Sequence, residues 1–130
     1  MGKKKTQRDL GRRERQIMDA IFQLGEASVA QVRGRLPDPP SYSAVRTMIR
    51  HLESKGLLRH RSEGTKYVYR PTQSKESVSR SALRHLIKTF FDNSSADTVA
   101  AILDDSDGKL SEEDLDRIEQ FIEEARKEGR

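Results

Sequence analysis

The feature that most constrains this chain is the segment SYSAVRTMIRHLESKGLL, residues 41 to 58. Apolar side chains recur there with the spacing of a helix and predict one buried face, made of Val45, Met48, Ile49 and Leu52. The opposite face collects Ser43, Arg46, Thr47 and Arg50. Arginine can bind guanine edges bidentately, and Ser and Thr can reach phosphates or bases. The pattern is typical of a DNA recognition helix, although a solvated helix face that carries ordinary charges has the same composition.

Charge is distributed unevenly along the chain. Residues 1–71 hold 16 Lys and Arg against 7 Asp and Glu, a net charge of +9, whereas residues 72–130 have a net charge of −5. A basic half joined to an acidic half indicates one part that meets a polyanion and one part that does not. We therefore expect a basic N-terminal arm over residues 1–9, a DNA-binding domain over 10–71 and a helical dimerisation domain over 72–130.

The order of elements in the first half predicts a winged helix-turn-helix. A first helix is expected from about Arg12 to Leu24, and a second, short helix opens at Ser28 with Gln31 completing a capping box. The third helix is capped by Ser41 and ends before Gly56. The runs 57–61 and 66–70 then predict two short strands separated by residues 62–65, which form a hairpin wing.

The second half predicts three further helices with generous apolar faces, from about residue 75 to 91, around residues 99–103 and after the cap Ser111. Three such helices bury too little area to be stable alone, so a homodimer is the economical solution. The fold class is therefore mainly α: a winged helix followed by a small three-helix dimerisation domain. The residues expected in the dimer interface are Leu83, Leu86, Ile87, Phe90, Ile102, Leu115, Ile118 and Ile122.

Helical position divides the predicted DNA contacts into two roles. We expect Arg46 and Thr47 to read bases, while Arg50, Arg61 and Lys66 mainly hold phosphates. The full set of predicted DNA-binding residues is Ser28, Ser41, Tyr42, Ser43, Ala44, Arg46, Thr47, Arg50, Arg61 and Lys66.

From Leu10 to about Ile122 the chain resembles the penicillinase-repressor family. The most specific matching phrases are VRTMIRHLESKGLL and EGTKYVYRP, and LSEEDLDRIEQFI matches more loosely. The resemblance implies a homodimeric, cytoplasmic repressor that binds a two-fold symmetric DNA operator, usually upstream of antibiotic-resistance or stress genes. It also implies a membrane sensor-protease as a possible partner.

Two departures from the family pattern bear on specificity and regulation. Ser43-Ala44 stands where the family often has a Thr-Thr pair, so the base preference can shift. The Asn-Phe bond that is cleaved in beta-lactam-responsive members corresponds here to Ala101-Ile102, which puts cleavage by the sensor-protease in doubt.

Other function classes have little support in the sequence. The chain has no cysteine, its three histidines lack ligand spacing, and the DDSDG run fails the calcium-loop register, so no metal, cofactor or catalytic site is expected. No apolar run approaches a membrane span. Two alternatives stay open: a winged-helix protein-interaction module, and non-specific nucleic-acid binding through Lys3, Lys4 and Lys5.

Overall fold

A computed structural model describes residues 10–105 and 108–129 of the chain; the predicted basic arm, residues 1–9, lies outside them. The described residues form six helices and one two-stranded antiparallel sheet, which confirms the predicted fold class. In chain order the elements are α1 (Arg12–Leu24), α2 (Val29–Arg33), α3 (Tyr42–Ser54), β1 (Leu58–Glu63), β2 (Lys66–Pro71), α4 (Lys75–Phe90), α5 (Ser95–Asp105) and α6 (Glu112–Lys127).

Local sequence signals place the helix boundaries. Gly11 precedes α1 and Glu14 occupies its third position, where the carboxylate accepts from the Gly11 backbone N–H. Ser28 and Gln31 form the predicted capping box of α2. The Ser41 hydroxyl accepts from the Ala44 N–H at the start of α3, as predicted. Each cap satisfies a backbone N–H that has no partner within its helix.

The end of α3 is a Schellman motif. Gly56 takes a positive φ of 85°, the Leu57 N–H donates to the Leu52 carbonyl at 3.0 Å, and the Gly56 N–H donates to Glu53 at 3.0 Å. Glycine suits this position because a side chain would be strained there. Leu57 is fully buried next to the turn, and the first strand begins at Leu58, one residue later than in the predicted range 57–61.

The hairpin is longer and its turn tighter than predicted. Pairing continues from Leu58 opposite Pro71 to Glu63 opposite Lys66, so Ser62 and Glu63 belong to β1 rather than to a four-residue spacer. Only two residues connect the strands, and Gly64, with φ of 64°, provides the left-handed backbone that such a turn requires.

The hydrophobic core lies entirely within the winged helix. It contains residues from α1, α2, α3, the connector before α2 and the open end of the hairpin, from Leu10 to Tyr69. Ile17, Ile21 and Val32 are fully buried together with the apolar face of α3. This part of the chain therefore has a core of its own.

The chain divides into two compact units between Ser81 and Ala82. In the described part of α4 to α6, Thr98 is the only buried residue. Phe90 is 72% exposed, and Leu83, Leu86, Ile102, Phe121 and Ile122 are also exposed, whereas Ile87, Leu115 and Ile118 are half-buried. No described helix is both long and apolar enough to cross a membrane.

Candidate nucleic-acid interface

The two faces of α3 separate as the sequence predicted. Val45, Ile49 and Leu52 are fully buried, and Met48 packs against the same core. Ser43, Arg46, Thr47 and Arg50 are all exposed on the other side. The helix is therefore anchored through one face and free to contact a partner through the other.

The start of α3 is held by two arginines from other helices. Arg13 of α1 donates to the backbone carbonyls of Pro37 and Asp38, at 2.9 and 3.1 Å. Arg33, the last residue of α2, donates from Nε to the Pro40 carbonyl at 2.7 Å. These bonds fix the turn between α2 and α3, so they set the direction in which α3 leaves it.

The end of α3 is tied to the start of α1 by an ion pair. Lys55 Nζ lies 2.8 Å from Glu14 Oε2, and both side chains are mostly buried. The hydrogen bond from Lys55 lowers the pKa of Glu14, against the opposing effect of burial. The pair therefore favours one orientation of α3 on α1.

The hairpin is joined to the rest of the winged helix at two places. Ala27 and Tyr69 exchange backbone hydrogen bonds of 2.8 and 2.9 Å, so the connector before α2 adds a third strand-like segment beside β2. Nδ1 of His60 in β1 lies 2.5 Å from Oε2 of Glu53 in α3. The His60 ring also stacks on the Tyr67 ring, with centroids 4.2 Å apart. The burial of Tyr69 in this cluster raises its pKa.

A groove of about 470 Å³ lies between α2, α3 and the hairpin. It brings together five of the predicted DNA-binding residues, Ser28, Tyr42, Arg46, Arg50 and Lys66. Arg46, Arg50 and Lys66 form no salt bridge with any acidic residue in the described ranges 10–105 and 108–129. Three unpaired cations around one groove favour an anionic partner.

The smaller predicted residues differ in which of their side-chain atoms are available to contact a partner. Ser28 is 7% exposed and its hydroxyl caps α2, so it lines the groove wall from a fixed position. Thr47 Oγ1 donates to the Ser43 carbonyl at 3.0 Å, which leaves its methyl group and its lone pairs for a partner. Ala44 is half-buried next to this exposed face.

Arg61 differs from the other predicted cations. It does not line the groove, and its guanidinium is bound by the carboxylates of Glu26 and Glu63 at 2.7 to 2.8 Å. Its predicted phosphate contact therefore has to compete with two ion pairs.

Thr65 and Tyr67 also line the groove, although neither belongs to the predicted DNA-binding set. Tyr67 is 46% exposed and lies directly after Lys66 at the start of β2. The sequence signal for Tyr67 is the KYVYR run, in which an aromatic residue follows the wing cation.

The fold and the groove together define a class. Three helices are followed by a paired hairpin, so this is a winged-helix protein. Its third helix exposes Arg and Thr side chains, and a lysine lies at the tip of the hairpin.

Comparison with known proteins gives the family. The model of the family described as "Penicillinase repressor" matches residues 10–124, and the chain belongs to this family. It is accordingly a transcriptional repressor in its broad class. A solved structure titled "CopR Repressor Structure" is 32% identical over 51% of this chain and 99% of that chain, with a TM-score of 0.44. No curated protein sequence matches the chain.

Proposed function

We propose that this protein is a homodimeric repressor that binds a two-fold symmetric DNA operator and blocks transcription by occupying it. The observation that carries the proposal is the groove in which Arg46 and Arg50 of α3 lie beside Lys66 of the hairpin, none of them in a salt bridge with a described acidic residue. In a winged helix the third helix enters the major groove, while the hairpin lies against the backbone or the minor groove.

The position of each side chain on α3 suggests its role. Arg46 and Thr47 lie in the first half of the helix on its exposed face, and we assign them to base edges. Ala44 offers a methyl group that can contact thymine but cannot donate a hydrogen bond. Ser41, Tyr42 and Ser43 flank this face at the start of the helix.

The remaining cations are assigned to the DNA backbone. Arg50 lies one turn further along α3 than Arg46, and Lys66 is at the tip of the hairpin. Backbone contacts fix the register of a protein on the duplex but carry no sequence information. Ser28 lies at the N-terminus of α2, where its fixed position suits a phosphate near the groove wall.

The exposed apolar surface of the second unit supports the dimer. The eight side chains predicted in the interface are all exposed or half-buried in the single chain. Leu83, Leu86 and Ile102 line one shared groove. Exposed apolar patches mark interaction sites, and a second copy is the partner that a two-fold operator requires.

The broad class of regulated genes is proposed from family membership. We assign the protein to the control of resistance or stress genes in the cytoplasm. Ala101 and Ile102 lie within α5 in place of the cleavable Asn-Phe bond, so our mechanism contains no cleavage by a membrane sensor-protease at that bond.

Binding to duplex DNA over a range of salt concentrations tests the proposal. Neutralising about 6–10 phosphates per dimer gives a slope of log K against log salt on the order of −5 to −9. Arg46→Ala should cost about 1–3 kcal/mol on the preferred sequence and relax specificity at one base pair of each half-site. Lys66→Ala should weaken binding to all sequences alike and reduce the steepness of the slope.

Lys127→Ala is the matched control, because it removes the same exposed ammonium from α6 and should leave DNA affinity unchanged. A flat salt response would remove the proposal. Equal weakening of preferred and random DNA by Arg46→Ala would contradict the assignment of Arg46 to base reading. Binding that depends on Lys3, Lys4 and Lys5 but not on Arg46 would favour the non-specific alternative.

A further inference from the structure

The guanidinium of Arg61 is held in a bidentate ion pair on the hairpin. Its Nη1 and Nη2 atoms donate to the two carboxylate oxygens of Glu26, at 2.7 and 2.8 Å. Nη2 also donates to Glu63 Oε2 at 2.8 Å. Side-by-side bonds of this kind fix both the distance and the plane of the two groups, which a single contact does not.

The positive charge of Arg61 is already compensated within this cluster. A guanidinium bound by two carboxylates attracts a phosphate less than an unpaired one does. The ion pair lowers the pKa of Glu26, mainly through the hydrogen bond from Arg61, and the two carboxylates raise the pKa of Arg61. Glu26 and Arg61 therefore keep their charges at neutral pH.

The register of the hairpin shows what this cluster connects. Arg61 pairs with Val68, and Glu63 pairs with Lys66 at the turn. Glu26 directly precedes Ala27, which bonds to the far edge of β2 through Tyr69. The Arg61–Glu26 pair therefore spans the whole width of the wing, from β1 across β2 to the connector before α2.

On the other face of the hairpin, α3 provides the second attachment. Residues paired across strands share a face of the sheet. His60 therefore lies on the same face as Tyr69 and on the opposite face from Arg61. His60 contacts Glu53 of α3 and stacks on Tyr67. The wing is thus held on one face by α3 and on the other by Glu26.

We propose that Arg61 is a positioning residue, which clamps the wing to Glu26 so that Lys66, at the tip of the hairpin, stays beside the groove. This inference rests on the proposed DNA-binding function and replaces the phosphate contact that the sequence suggested for Arg61. The clamp acts through Lys66. Without the clamp, the wing has to become ordered when DNA binds, and that ordering lowers the affinity for DNA.

Glu26→Gln gives the decisive test, because the two roles of Arg61 predict opposite signs. Removing a carboxylate beside a polyanion should strengthen DNA binding if Arg61 contacts phosphate and Glu26 competes for it. The clamp predicts instead that binding of the full-length protein to duplex DNA weakens by about three- to tenfold. It also predicts a less steep salt dependence, because the Lys66 contact is partly lost.

Combined variants separate the clamp from a general loss of structure. Arg61→Gln should weaken binding as Glu26→Gln does, and the double variant should be no weaker than either single one. In a Lys66→Ala background, Glu26→Gln should have no further effect. Glu76→Gln, the same change at an exposed carboxylate of α4, is the matched control and should not weaken binding. Thermal unfolding of each variant checks that the fold is kept.

The outcomes are distinguishable. Wild-type protein without salt-dependent DNA binding overturns the proposed function itself. Wild-type binding together with unchanged or tighter binding by Glu26→Gln overturns the clamp alone. Additive losses in the double variant would also contradict it, because they would mean that Glu26 and Arg61 act independently.

Discussion

Phe90 offers the sharpest test of the proposed dimer. It is 72% exposed at the end of α4, and a phenylalanine buries about 150–250 Å² when it is fully covered, so about 110–180 Å² remains for a partner. At about 25 cal/mol per Å² this area is worth about 3–4.5 kcal/mol per chain, and two-fold symmetry doubles the maximum for the dimer. Covering half of the area on each chain would contribute about 3–4.5 kcal/mol to the dimer.

Phe90→Asp should therefore weaken the dimer by about a hundred- to a thousandfold, because it removes this contact and places a charge in an apolar interface. Sedimentation equilibrium over a range of protein concentrations measures the change. Ser81→Asp is the control, since it adds the same charge to the opposite face of α4 and should leave the dimer intact. A Phe90→Asp protein that dimerises as tightly as the wild type would refute the reasoning.

Two further predictions concern the stability and independence of the winged helix. Glu14→Gln should lower the free energy of unfolding by about 1 kcal/mol at neutral pH. The folded-state pKa of Glu14 lies below its ordinary value of 4.5. The stabilisation by Glu14 is therefore fully present above pH 4.5 and is lost as the pH falls through the folded-state pKa. Denaturant unfolding of the wild type and of Glu14→Gln over this pH range measures the difference. A fragment ending at Ser81 contains the whole core and should stay folded. It should be monomeric in sedimentation and should bind DNA far more weakly than the full-length protein in a binding assay.

Local signals account for the parts of the fold that the sequence predicted correctly. The caps at Ser28, Ser41 and Ser111, and the glycine after α3, act within a few residues, so their geometry is readable from spacing. The buried and exposed faces of α3 follow from helical periodicity in the same way. The strand ends were less predictable, because the tight turn at Gly64 let Ser62 and Glu63 pair instead of forming a loop.

The content of the candidate site depended on tertiary contacts that spacing does not reveal. Tyr67 and Thr65 enter the groove only because the hairpin folds beside α3. Arg61 binds Glu63, two residues away, and Glu26, which is 35 residues away in the sequence. Charge pattern alone could not distinguish Arg61 from Lys66, because only the folded structure brings Glu26 to Arg61.

The central claim is that the exposed face of α3 reads bases in a two-fold symmetric dimer. Selection of duplexes from a random library by the full-length protein tests it most directly. We predict enrichment of a palindrome whose half-sites are about one or two helical turns apart, and a changed preference at one position per half-site with Arg46→Ala. Selection that enriches no sequence, or an asymmetric motif that is unchanged by Arg46→Ala, would contradict the account.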